Sequence, residues 1–128
     1  QMAALCECSP VPIALDEELI GLFSSDDKKR CLAHIRPRYL ILKPSLIGGF
    51  KACNAFIESD LDWWITSALE SNIGLNAIAQ FTATKELHRP QGLGTGGLFV
   101  NNFESPLEVF NAQLFYRNHL TWNLNSIA

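Results

Sequence analysis

With 128 residues, 48% of them hydrophobic and 18% charged, the chain has room for one ordinary domain with a real core and not for two large ones. Net charge is −3, and the ten Lys and Arg are scattered except at Lys28-Lys29-Arg30, so no basic stripe offers itself to nucleic acid and no such partner is expected. The apolar runs fall well short of the roughly 20 residues that a membrane helix needs, and no basic segment followed by a long apolar core precedes the cysteines; a soluble, cytoplasmic protein with no membrane partner is expected.

Taken in order, Met2-Ala3-Ala4-Leu5 are good helix formers that Ser9-Pro10 stops, so residues 1–8 read as the end of a helix. Pro12 to Asp16 reads as a short strand with Ile13 and Leu15 on one side and Ala14 and Asp16 on the other. A loop over 21–27 leads to a helix through Lys28–His34, its start marked by Ser25 with Asp26-Asp27 and its end by Arg36-Pro37. Tyr39 to Lys43 reads as a buried strand, apolar on both faces until the lysine arrives, a pattern typical of a parallel sheet covered by helices. An ammonium there is costly unless something anionic waits for it, so Lys43 either snorkels to solvent or works in a site; the pattern alone leaves both open.

Beyond the Gly48-Gly49 turn, Phe50, Cys53 and Ile57 at i, i+3, i+7 spacing, with Phe56 beside them, predict a short helix. Trp63 to Leu69 is a third two-sided apolar strand. Ser71 or Asn72 can cap a helix from about Ile73 to Leu87, with Ala77, Ile78 and Phe81 on its buried face. Gln91 to Gly97 is too glycine-rich for a helix and reads as a very short strand opening into a loop. Residues 107–110 and 113–116 alternate around Asn111-Ala112 like a small hairpin.

Strand, loop and helix thus recur about four times, which implies an α/β fold with a parallel sheet and right-handed crossovers: a small doubly wound sheet, or one half of a (β/α)8 barrel over 1–98 with a C-terminal extension over 99–128. In a barrel the active site gathers at the C-terminal ends of the strands, where Asp16, Lys43 and Thr66-Ser67 fall. Gly92-Leu93-Gly94 lacks the helix start that a dinucleotide loop requires. Cys6, Cys8, Cys31 and Cys53 read as reduced packing thiols, since no further ligands follow Cys6-Glu7-Cys8 at zinc spacing. His34, His88 and His119 stand in no triad-like context, Glu17 and Glu18 read as solvated or hydrogen-bonding neighbours of Asp16, and Glu70 as structural at a helix start. For Asp16 a helix or loop cap near Glu17 and Glu18 is the alternative to a ligand.

Three segments together, Ile13-Ala14-Leu15-Asp16-Glu17, Leu42-Lys43-Pro44-Ser45-Leu46-Ile47-Gly48-Gly49 and Thr66-Ser67-Ala68-Leu69-Glu70-Ser71-Asn72-Ile73-Gly74-Leu75, followed by Gly92-Leu93-x-Thr95, resemble the enolase superfamily and within it the o-succinylbenzoate synthase family. Trp63-Trp64 and residues 91–97 are most similar to its Bacteroidetes branch. The resemblance runs over nearly the whole chain and implies the C-terminal half of an enolase-type (β/α)8 TIM barrel, with the first barrel half and the N-terminal capping domain absent. It further implies Mg²⁺ held by carboxylates on three successive strands, Asp16 being the last of them. Lys43 then matches the lysine that stabilises an enediolate opposite a second lysine, the general base, which this chain lacks. Ser45, Thr66, Ser67 and Gly92 would line the side that takes the succinyl group. Gly94 departs from the Gly-Leu-Asp-Thr pattern of many relatives.

Such residue types suit the chemistry. A proton α to a carboxylate is so weakly acidic that its removal needs metal and ammonium charge fixed in a water-poor pocket. The implied activity is a carbon–oxygen lyase, the Mg²⁺-dependent dehydration of 2-succinyl-6-hydroxy-2,4-cyclohexadiene-1-carboxylate to o-succinylbenzoate in menaquinone biosynthesis. One carboxylate and one lysine do not make that site, so the fragment is expected to be inactive alone. N-Succinylamino acid racemase uses the same scaffold and the loops do not separate the two. An alternative of another class is a non-catalytic half-barrel whose open sheet edges drive self-association.

Overall fold

The computed structural model describes residues 1–125. It has two compact units, one of Gln1–Thr66 with Leu87–Gln91 and the other of Ser67–Glu86 with the chain from Gly92 on.

In the first unit, α1 (Met2–Cys8) is followed by β1 (Ala14–Leu15), a 3-10 turn over Glu17–Leu19, α2 (Ser25–Ile35), β2 (Tyr39–Leu42), α3 (Gly49–Ile57) and β3 (Asp62–Ile65). The sheet order is β1-β2-β3 and every pairing is parallel, with Leu15 opposite Leu40 and Leu42 opposite Ile65. Leu15, Leu40, Leu42 and Ile65 are fully buried, and Leu19, Cys53 and Phe56 complete the core on them. The parallel α/β expectation holds, with three strands formed. β1 is shorter than the expected Pro12–Asp16: Pro10 and Pro12 bring no N–H to a ladder, the Ile13 carbonyl accepts from both Arg38 N and Tyr39 N (2.9 and 3.2 Å), and Asp16 turns into the 3-10 segment.

The cap of α2 is Ser24, one residue before the expected Ser25; its Oγ accepts from Asp27 N at 3.0 Å. Lys28, from the basic run, is buried, with Nζ 4.8 Å from the centre of the Phe56 ring and 3.4 Å from the Ala52 carbonyl. In α3 the buried pair is Cys53 and Phe56, while Phe50 is 39% exposed, so the packing stripe is narrower than the spacing implied. Gly48, at φ 100°, makes the turn into α3 possible. β3 stops at Ile65, not Leu69: Thr66 N still donates to the Leu42 carbonyl, but a bend closed by Glu70 N on the Ala68 carbonyl turns Leu69 outward.

The free edge of β3 is covered by residues 87–91. Arg89 pairs with Asp62 at 2.9 Å and lies 4.7 Å over the Tyr39 ring, while Gln91 Oε1 accepts from Ile65 N at 2.7 Å.

The second unit contains α4 (Asn72–Ala83), a 3-10 turn over Thr95–Gly97, and the antiparallel hairpin β4 (Leu107–Phe110) and β5 (Gln113–Tyr116). The Asn72 amide N–H, left over at the start of α4, goes to Asn102 Oδ1 at 2.8 Å, and the Ser71 side chain makes no capping bond. The buried face of α4 is Leu75, Ile78 and Thr82; of the expected Ala77, Ile78 and Phe81, Ala77 is exposed and Phe81 half-buried. Short-range bonds from Thr84 N to Phe81 O and Lys85 N to Thr82 O end the helix at Ala83, before the expected Leu87. Of the very short strand expected in Gln91–Gly97 only a single bridge residue, Gly92, forms before the loop. The 3-10 turn brings Gly96 so close to α4 that an added Cβ would lie 2.7 Å from Asn72 Oδ1. In the hairpin, positive φ at Asn111 (48°) and Ala112 (59°) gives the two-residue turn that matches strand twist, as the sequence predicted. Of the expected extension over 99–128, residues 126–128 lie outside the described residues.

Candidate functional site

In the first unit the parallel sheet delivers Asp16 just past β1 and Lys43 just past β2, and register places Leu15 and Leu40 side by side behind them. Lys43 Nζ lies 2.8 Å from Asp16 Oδ2 and 2.8 Å from Glu17 Oε1. The Lys43 side chain is 18% exposed and that of Asp16 25%, so this ammonium does not snorkel; it ends in a half-dry pair of carboxylates. Hydrogen bonds to Asp16 first, and to Glu17, hold the Lys43 pKa above that of an ordinary lysine, against a smaller opposing effect of burial. The same ammonium holds Glu17 below the ordinary carboxylate range. Glu17, expected from sequence to be a solvated or hydrogen-bonding neighbour of Asp16, is the hydrogen-bonding one and so part of the cluster.

Asp16 Oδ1 is buried and has no hydrogen-bond partner among the described residues, and Glu18 Oε2 accepts from the Asp16 backbone N–H at 3.3 Å. Thr66, at the end of β3, likewise buries a hydroxyl without a partner among the described residues. Ser45 lies exposed in the turn after β2. In the second unit Ser67 is buried; its N–H donates to the Gly92 carbonyl (2.9 Å) and its Oγ shares a 2.7 Å hydrogen bond with Thr95 Oγ1. Thr95, present in the sequence pattern but not singled out as a site residue, thus fixes the Ser67 hydroxyl. A Cβ at Gly94 would meet nothing within 4 Å, so the aspartate of the Gly-Leu-Asp-Thr pattern would have room there. Glu70 behaves as expected of a structural residue: its Oε2 sits 2.6 Å from where a Gly74 Cβ would be, packed over the first turn of α4.

A hard divalent cation takes about six oxygens. The residues present fit one ligand, Asp16 through its unpartnered Oδ1, and not a whole site: among the described residues no group of three or more His, Cys, Asp or Glu stands ready to hold a metal. Among the same residues no helix is long and apolar enough to cross a membrane.

No protein-family model matches the chain. Among curated proteins, an o-succinylbenzoate synthase of Desulfotalea psychrophila is 56% identical over 113 residues, which cover 85% of this chain and 30% of that protein. Over those residues the chain is similar to part of an o-succinylbenzoate synthase. One from Mycolicibacterium smegmatis is 32% identical over 108 residues, 83% of this chain and 33% of its own length. The fold agrees: the crystal structure of MenC from Desulfotalea psychrophila matches with a TM-score of 0.79 at 54% identity, over 88% of this chain and 33% of that one. The chain is thus a partial enolase-type α/β barrel, spanning about a third of the o-succinylbenzoate synthases it matches.

Proposed function

We propose that the chain is the portion of an o-succinylbenzoate synthase, a carbon–oxygen lyase of menaquinone biosynthesis, that contributes the enediolate-stabilising lysine and one metal ligand, and that by itself it does not turn over substrate. The observation that supports this reading most is the Lys43–Asp16 pair, 2.8 Å apart just beyond adjacent parallel strands. At that end of a barrel, an ammonium neutralises negative charge that grows on a carboxylate-bearing substrate as its α-proton leaves. Lys43 is kept fully protonated by its carboxylate neighbours, which suits it to stabilise charge and not to accept a proton.

Asp16 Oδ1 would be its single Mg²⁺ ligand; the bound metal would polarise the substrate carboxylate. Ser45, Thr66, Ser67 and Gly92 would border the succinyl side, Thr66 with a hydroxyl still able to donate and Ser67 held in place by Thr95. The substrate is a small succinyl-bearing carboxylate and the compartment the cytoplasm.

The purified 128-residue chain, supplied with Mg²⁺ and the cyclohexadiene substrate, should release no o-succinylbenzoate measurable by ultraviolet absorbance. Measurable turnover that disappears in Lys43→Met would overturn the inactivity and leave the role of Lys43 intact. The second reading, of another class, is a non-catalytic half-barrel that self-associates: Val11 and Phe23, 62% and 80% exposed, and the two-residue edge strand β1 leave apolar surface for a second copy. A sedimentation velocity run giving only monomer at about 100 μM would count against it.

A further inference from the structure

The two carboxylates on Lys43 are not equivalent. Asp16 follows directly on β1 and its side chain is three-quarters buried, whereas Glu17 opens the 3-10 turn and leaves 71% of its side chain in solvent. Both reach the same nitrogen at 2.8 Å. An ion pair as exposed as Lys43–Glu17 is weakly held, since water and salt screen the attraction and the long side chain gains rotamer freedom on release. The Asp16 pair is shielded from both effects.

We infer that Glu17 is a displaceable counter-ion: in the free chain its carboxylate occupies the place at Lys43 Nζ that a carboxylate or enolate oxygen of a ligand takes up, and on binding it swings out to solvent. The inference rests on the reading of Lys43 as partner of an anionic ligand. Charge supports it. With Asp16 retained, exchanging Glu17 for one anionic oxygen leaves the ammonium with two anionic partners throughout, so Lys43 is never stripped of a counter-ion while half-buried. Glu17 also shields the site from other anions, because any anion must first displace a tethered competitor.

The test is a titration of the ¹⁵N-labelled 128-residue chain with acetate, followed at the backbone amides of Asp16, Glu17 and Lys43. Removing the competitor in Glu17→Gln should tighten acetate by about three- to tenfold at low ionic strength, with the gain shrinking at about 0.5 M salt, and Lys43→Met should abolish saturable binding. An affinity in Glu17→Gln within about twofold of the parent, saturable binding at the same amides in Lys43→Met, or no saturable binding in either parent or Glu17→Gln overturns the inference. Because Glu17 is exposed, its variant keeps the fold, which the amides of Leu40 and Ile65 report. A second arm with o-succinylbenzoate separates the two ideas: tightening for acetate without any preference for o-succinylbenzoate upholds displacement and removes the synthase reading of the ligand.

Discussion

Replacing Lys43 by Met keeps most of the aliphatic stem and deletes the ammonium, which isolates the electrostatic part of the cluster. Asp16 then loses the partner of Oδ2 while its Oδ1 already has none among the described residues. Breaking a buried pair costs about 3–5 kcal/mol and an exposed one about 0–1 kcal/mol. With side chains 18% and 25% exposed, the Lys43–Asp16 pair falls between, at about 2 kcal/mol. In a chain of 128 residues, at about 2.1 cal/mol/K of unfolding entropy per residue, that lowers Tm by about 7 °C. Urea unfolding followed by the fluorescence of Trp63 and Trp64, both in β3, gives the same quantity as a shifted midpoint. Adding Asp16→Asn should return about 1 kcal/mol, since an amide left unpaired costs less than a carboxylate. The pH dependence has two sides. Lys43 is raised above the ordinary 10.5, so its contribution is complete below that pH and is lost as pH rises through the higher folded value. Glu17 is lowered from 4.5, so its share is present above that pH and disappears as pH falls through the depressed value. The parent-minus-variant difference should therefore be flat between those limits. A Tm drop under about 2 °C, or strict additivity with Asp16→Asn, would refute the coupling.

Phe56→Ala empties a fully buried site under the sheet and should cost about 3–5 kcal/mol, read from the same urea midpoints. Gly48→Ala puts a Cβ 3.3 Å from that of Ala52 at φ 100°, and should destabilise by about 1–2 kcal/mol. Conversely, Ala112→Gly relieves a non-glycine residue at φ 59° and should stabilise the hairpin by about 0.5–1 kcal/mol, seen as slower amide exchange at Val109 and Leu114.

The sheet was legible because two-sided apolar strands are a strong signal: Leu40, Leu42 and Ile65 could sit nowhere but between layers. Asn111-Ala112 between two alternating runs was equally readable, down to the residues of the turn. Strand ends were less so, because they depend on which backbone groups find partners. The Ile13 carbonyl serves the amides of Arg38 and Tyr39, where β2 begins, without Ile13 joining the strand, and no apolar count reveals that. The phase of α4 was missed for a related reason: Ala77 and Leu75 are both apolar, and only the neighbours of the helix decide which of them is buried. At the site, Asp16 and Lys43 could be placed at strand ends from pattern alone, and the structure joins them. For Glu17 the sequence left solvation and hydrogen bonding both open, since a flexible carboxylate reaches as readily for water as for an ammonium, and the structure takes the second.

The Gln91 side chain, standing where the backbone of a neighbouring strand would, bears on how this molecule can be taken apart. The chain passes from the first compact unit into the second at Ser67, returns for residues 87–91, and leaves again at Gly92, so neither unit is a continuous stretch of sequence. A truncation after Thr66 would keep all three strands yet strip Ile65 N of Gln91 and Asp62 of Arg89. Deletion mapping along the linear sequence would then report the loss of a five-residue clasp as the failure of a domain.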